Sequence, residues 1–312
     1  MWIFTLSKLL KISTFTLFVT LIFVILSMFA LYRLAYKAPK TFNIPSSKNM
    51  SFALGNIRYE TKQSKLNNNS KDHQILFLHG FNNHIKPKNL KWDKVDECAP
   101  GIRLDLPGFG ESKWDTNDYT LPTQAERVIE FLDKLQVKKV TIQGGSMGGS
   151  LSAWIAANYP ERVNAILIAA PSAYPDGLVY TGNRAYLVKD RMLTQYAYIL
   201  AQTKIYKKLF PNSKALQSLS VGSSYGEPWK QALPKIKAPT VIMWSTGDKA
   251  VPFKYSGKVN NLIPNSILIP IAKKVGHNMT PRLKMITEIT CKLFNNTSIN
   301  EIAQKYPENK LH

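Results

Sequence analysis

Six apolar runs of four to six residues recur between Gln74 and Ile271, separated by glycine-rich turns and stretches of helical periodicity. This alternation restricts the fold more than any other feature of the chain. Runs of that length are too short for helices and read as strands buried on both faces, and such strands alternating with helices build a mostly parallel sheet covered on both sides. The strands are expected at Gln74–Leu78, Ile102–Leu106, Val140–Gln143, Ala165–Ala170, Thr240–Trp244 and Ser266–Ile271. Between the second and third, Ala125, Val128, Ile129, Leu132 and Leu135 recur at helical spacing, which predicts a helix over Thr123–Gln136 with one apolar stripe on the sheet. The fold class is therefore α/β. Short early strands are expected near Ser51–Lys62, and Ser298–His312 reads as a closing helix or a frayed tail.

In such sheets ligands bind beyond the carboxyl ends of the strands, so the loops there hold the candidate chemistry. The third strand runs into Gly144-Gly145-Ser146-Met147-Gly148-Gly149 and then a helical stretch, Ser150–Tyr159. This is a G-x-S-x-G elbow in strand-turn-helix context, with glycines where strand and helix must approach closely and Ser146 expected exposed at the helix N-terminus. The same glycines would also suit a plain connecting turn or an anion-cradling loop. After the first strand, His79-Gly80-Phe81 would set the Phe81 N–H beside that of Met147 as two donors aimed at one point, an oxyanion hole. The turn from Asp105 to Ser112, DLPGFGES, reads as structural. Asp248 follows the fifth strand and His277 the sixth, so serine, acid and base appear in the order Ser, Asp, His. Of five histidines only His277 follows a late strand, and Asp176 competes with Asp248 for the acid.

Taken together, HGF, DLPGFGES, GGSMGG, the STGD loop and GHN over about Gln74 to Phe294 resemble the α/β-hydrolase superfamily, in its serine-nucleophile lipase and esterase branch. The resemblance implies Ser146 as nucleophile, His277 as base, Asp248 as its orienter, and Phe81 and Met147 as backbone oxyanion donors. It also implies an α/β-hydrolase fold with a helical cap. The long stretch 172–230 between the fourth and fifth strands fits such a cap, and carries seven tyrosines and eight Lys or Arg against three acids.

Upstream of this core, Ile12 to Tyr32 is 21 residues without a formal charge, roughly 31 Å as a helix. That length fits an uncleaved transmembrane anchor better than the shorter apolar region of a signal peptide. The expected organisation is an anchor over 1–40 and a hydrolase domain over 41–312 with its cap inside. Basic residues on both flanks nearly cancel, leaving the side of the membrane open. Forty-one Lys and Arg against twenty Asp and Glu give a formal charge of +21, which favours anionic surfaces. No helix-turn-helix, zinc-finger or RNP-type signature accompanies the charge, so nucleic acid is not the expected partner. Two cysteines, Cys98 and Cys291, cannot build a disulfide scaffold or a four-thiolate zinc site, and no metal or organic cofactor is called for.

These features predict a membrane-anchored serine hydrolase acting on lipid-like carboxylic esters, of the kind found in monoacylglycerol lipases. Meta-cleavage C–C hydrolases and proline iminopeptidases share related elbows and remain as alternatives. A catalytically silent tethered binding protein is the reading from another class.

Overall fold

A computed structural model of the chain describes residues 13–27, 42–66, 72–81, 83–87, 94–115, 118–174, 203–209, 214–277, 279 and 282–306. Its centre is one eight-stranded sheet: β1 (Lys48–Phe52), β2 (Gly55–Lys62), β3 (His73–Leu78), β4 (Gly101–Leu104), β5 (Lys139–Gly145), β6 (Val163–Ala169), β7 (Thr240–Ser245) and β8 (Ser266–Ile271). The spatial order is β1-β2-β4-β3-β5-β6-β7-β8. From β4 to β8 neighbouring strands run parallel, whereas β1 and β2 add antiparallel at one edge. The six strands expected from apolar runs are all present, with ends shifted by at most two residues.

Burial on both faces explains why the runs are continuously apolar. Along β6, Ile166 and Ile168 join one core cluster while Leu167 joins the other, and along β7 Ile242 and Trp244 face away from Val241 and Met243. Successive strand side chains point to opposite faces, so each run must be apolar at every position. The first face is covered by α2 (Leu121–Lys134) and α3 (Met147–Asn158), and the second by α8 (Leu283–Phe294) and α9 (Ile299–Lys305). Each such side chain contributes about 1.5–3 kcal/mol by leaving water.

Helix α2 starts two residues earlier than its periodicity indicates. The Thr120 hydroxyl accepts from the Thr123 N–H, and Pro122 occupies the first turn, where its missing N–H costs nothing. The helix ends at Lys134, and Gln136 takes a left-handed φ of 59°. Residues 13–27 form α1, a helix whose Phe15, Leu17, Phe18 and Phe23 are 60–76% exposed. Among the described residues no helix is long and apolar enough to cross a membrane. The expected anchor runs from Ile12 to Tyr32, and part of it lies outside the described residues.

Between β6 and β7 the described residues include three short helices, α4 (Lys204–Leu209), α5 (Lys214–Ser223) and α6 (Glu227–Ala232), and α7 (Ser256–Leu262) follows β7. Residues 175–202, within the stretch expected to be a cap, and the competing acid Asp176 lie outside the described residues. The cysteines form no scaffold, but they do form one bond: Cys98 and Cys291 are joined across a sequence separation of 193, tying the segment before β4 to α8. Sequence spacing gives no sign of this pairing, because the two segments meet only once β3 lies between β4 and β5.

Candidate active site

Ser146 sits between β5 and α3 with φ 56° and ψ −121°, a conformation that L-residues adopt only when their surroundings enforce it. The surroundings here are backbone. A Cβ on Gly148 would lie 2.2 Å from the Leu78 carbonyl oxygen, and one on Gly144 would lie 2.3 Å from that of Gly148. The glycines therefore let α3 press against the ends of β3 and β5, and the Ser146 N–H is held by the Ala169 carbonyl of β6 at 2.8 Å. Ser146 is 9% exposed. The expectation of an exposed serine is corrected by this burial: the neighbouring β3 loop packs over the elbow, with Gly80 so close that a Cβ there would meet the Ser146 Cβ at 3.3 Å.

Register sets the segments that carry the two expected oxyanion donors side by side. Leu78 pairs with Gly144 across β3 and β5, so the chain leaving β3 through Gly80 to Phe81 runs alongside the chain leaving β5 through Ser146 to Met147. His79 fixes the direction of the intervening peptide. Its Nε2 accepts from the Leu106 N–H at 3.0 Å, so Nδ1 carries the proton and donates to the Gly80 carbonyl at 2.8 Å. The Gly80–Phe81 peptide is trans, and its N–H points opposite to that anchored carbonyl. Burial lowers the His79 pKa, keeping the imidazole in the neutral form this arrangement needs.

On the far side of β6, Asp248 follows β7 and His277 follows β8, with His277 Nδ1 2.7 Å from Asp248 Oδ2. The other carboxylate oxygen accepts the N–H groups of Ala250 at 2.9 Å and Val251 at 2.8 Å. The side chain of Asp248 is wholly buried. A carboxylate in this position only accepts, so His277 Nδ1 donates and Nε2 is left as an acceptor. Gly276, at φ 61°, makes the turn that presents the ring. Ser146, Asp248 and His277 thus all stand at the carboxyl-end rim of the sheet. Among the described residues no group of His, Cys, Asp and Glu could hold a metal ion.

Comparisons with known proteins agree with this architecture. Residues 74–198 match the alpha/beta hydrolase fold family. The chain is 26% identical to the uncharacterized hydrolase YugF of Bacillus subtilis, over 71% of this chain and 88% of that one. It is 24% identical to human monoacylglycerol lipase ABHD6, over 66% of this chain and 70% of the relative. It also matches the dihydrolipoyllysine-residue acetyltransferase component of the acetoin cleaving system of Cupriavidus necator at 25% identity, but spans only 58% of that protein. Among solved structures, a membrane phospholipase A superposes with a TM-score of 0.62 at 20% identity, covering 95% of this chain and 98% of the other. The chain has the α/β-hydrolase fold.

Several residues support the site in ways that the sequence does not show. Asp105, fully buried at the end of β4, accepts from the N–H groups of Ile85 and Glu111 and lies 3.9 Å from Arg58. It clamps the β3 and β4 loops together, and Gly110 is required beside it because a Cβ there would lie 2.2 Å from Asp105 Oδ2. The DLPGFGES turn is structural, as expected, and its aspartate is the reason. Behind the nucleophile elbow, Ser150 Oγ accepts from the Ala173 N–H at 3.0 Å, and Trp229 Nε1 donates to the Ser150 carbonyl at 2.9 Å. Both ends of the β6–β7 insertion are thereby bound to α3. The bond from Trp229 to an elbow helix far upstream is not legible in the sequence.

Proposed function

We propose that the protein is a membrane-anchored serine hydrolase that cleaves carboxylic esters with lipid-like acyl groups through an acyl-enzyme on Ser146. The observation that carries this reading is the pairing of a backbone-strained serine at a strand-helix elbow with a buried Asp248–His277 couple on the same rim. His277 Nε2 takes the Ser146 proton as Oγ attacks the acyl carbon, while Asp248 holds the tautomer and stabilises the imidazolium. The N–H groups of Phe81 and Met147 receive the oxyanion, each donor of this kind contributing about 2.7–4 kcal/mol to the transition state. As the tetrahedral adduct collapses, His277 returns the proton to the departing alcohol. Water then attacks the acyl-enzyme by the same proton route, releasing the carboxylic acid and restoring Ser146.

The lipid-like acyl group is supported by the lipases among the relatives and by the charge of +21. The anchor over 1–40 is supported by the uncharged run from Ile12 to Tyr32 and by the exposed apolar side chains of α1. The Cys98–Cys291 bond supports an oxidising compartment for the globular part, with residues 172–230 acting as its cap.

The test is hydrolysis of a chain-length series of esters by wild type and Ser146→Ala, together with labelling by a fluorophosphonate. Wild type is expected to prefer medium-chain over acetyl esters and to label at Ser146. Ser146→Ala is expected to fold normally and lose turnover and label together. Undiminished turnover in that variant overturns the assignment, and a strict preference for soluble acetyl esters overturns the lipid-like substrate.

A further inference from the structure

We propose that the rim carrying Ser146, Asp248 and His277 is also a docking surface for an anionic phospholipid bilayer. This rests on the reading of the protein as a membrane-tethered esterase and specifies how the site meets its substrate.

Five exposed lysines stand on the loops that leave the sheet at this end: Lys86 after β3, Lys249 and Lys254 after β7, and Lys273 and Lys274 after β8. Among the described residues none of the five forms a salt bridge with a carboxylate. Of the acids on the loops at this end, Asp105 and Asp248 are buried and Glu111 pairs with Arg58, whereas Asp115 and Asp118, on the loop after β4, are exposed. The amino end of the sheet is basic too, with Lys139, Lys235 and Lys237 exposed, but there acids stand among the charges, as in Lys62 and Lys65 with Asp96, Lys138 with Asp72 and Arg162 with Asp133.

The chain itself selects the same end. Its N-terminal segment joins the domain at Phe42, whose carbonyl accepts from Arg58 Nη2 at 3.2 Å and whose ring stacks on His84 at 5.7 Å. Ile44 is buried beside it. His84 is three residues beyond Phe81 and belongs to the rim. The N-terminal segment therefore enters the folded domain beside the face that holds the nucleophile. The residues linking them carry Arg33, Lys37 and Lys40, and no Asp or Glu precedes Glu60. Each basic residue near an anionic leaflet strengthens partitioning by roughly five-fold. With the rim on headgroups, an acyl ester can pass from the bilayer to Ser146 without crossing bulk water.

The test uses the full chain reconstituted in vesicles of phosphatidylcholine alone or mixed with phosphatidylglycerol, with lysine acetylation rates read by mass spectrometry. In the mixed vesicles Lys86, Lys254 and Lys274 are expected to react several-fold more slowly than in the neutral ones, Lys139, Lys235 and Lys237 at the amino end are expected to be unaffected, and added salt is expected to erase the difference. Equal rates in both vesicles, or equal slowing at both ends, overturn the proposal. This readout needs no turnover, so it stands apart from failure of the esterase reading, which would appear as absent fluorophosphonate labelling. A second arm compares Lys86→Gln/Lys254→Gln/Lys274→Gln with Lys139→Gln/Lys235→Gln/Lys237→Gln, which remove the same charge. Only the first is expected to slow hydrolysis of a vesicle-borne ester several-fold while leaving a soluble short ester unchanged; matching effects of the two sets overturn the docking surface.

Discussion

The hydroxyl of Tyr225 lies 2.7 Å from Oγ of Ser172, and the main-chain N–H of Ser172 reaches the carbonyl of Ser146 at 3.4 Å. A residue at the far end of the β6–β7 insertion is thus two contacts from the strained serine. Tyr225→Phe removes one such bond, of about 0.5–1.5 kcal/mol, while keeping the ring. The expected result is a kcat lowered roughly two- to ten-fold at unchanged KM, with Ser172→Ala giving a similar loss and the double variant no further loss. Steady-state kinetics with Tm measurements on the same samples check it, since a purely structural role would move Tm and leave kcat of the folded fraction intact.

Asp248→Asn is expected to be far more damaging than its size suggests. The N–H groups of Ala250 and Val251 both point at Oδ1, so an asparagine would keep its oxygen there and turn its amide nitrogen toward His277. His277 Nδ1 would then accept, its Nε2 would carry the proton, and the base would be lost. Ester turnover should fall by about 10⁴ with stability little changed, measured by kcat and thermal melting.

Two glycine substitutions should separate close packing from open helix surface. Gly148→Ala places a methyl 2.2 Å from the Leu78 carbonyl and should cost at least about 1–3 kcal/mol together with most activity. Gly257→Ala meets nothing within 4 Å in helix α7 and should be neutral or stabilise by about 0.5–1 kcal/mol. Urea denaturation of both variants gives the comparison.

Much of this architecture is legible in the sequence because the relevant forces are local. Ile166-Leu167-Ile168 reads as a two-sided strand, and GGSMGG as a tight turn that the contacts of Gly144 and Gly148 resolve into an elbow rather than a plain connection or an anion-cradling loop. What escaped depends on pairing between distant segments. That β2 extends the sheet through Tyr59 opposite Leu104, and that Ser150 meets Ala173 and Trp229, follows from chain crossings that periodicity does not encode. Serine and tyrosine are also too common for their spacing to mark them, whereas the late His277 could be found by elimination.

Acid should weaken the fold before it unfolds it. Burial, with Lys139 nearby, lowers the pKa of His73 from its usual 6.5 to about 4, and the ring stacks on Phe294 at 4.2 Å with Nε2 2.9 Å from Thr141 Oγ1. The unfolded chain binds this proton more readily, so the stabilisation is whole above pH 6.5 and is lost as pH falls toward 4. Thermal melts between pH 7 and 4 should show a Tm slope that is shallower in His73→Asn than in wild type.

The cysteines should be unreactive toward alkylating reagents until the protein is reduced, and then react as a pair. Closing a loop this long contributes up to about 5 kcal/mol by chain entropy, so Cys98→Ser/Cys291→Ser should melt well below wild type. Alkylation of protein taken directly from its native host, with and without reductant, checks the bond and the compartment together. Free thiols before reduction would place the domain in a reducing one.

The Gly226 N–H donates to the carbonyl of Ala173 at 2.8 Å, so the chain leaves the sheet layer and returns to it almost at a single point. The described return of this insertion is also bound to the domain through Gln217 to Gly108, Ser220 to Tyr119 and Ser224 to Leu121. Exchange of the residues between Ala173 and Gly226 would leave strand order, elbow and imidazole loop in place and would remove only the bonds that Gln217, Ser220 and Ser224 make to the domain.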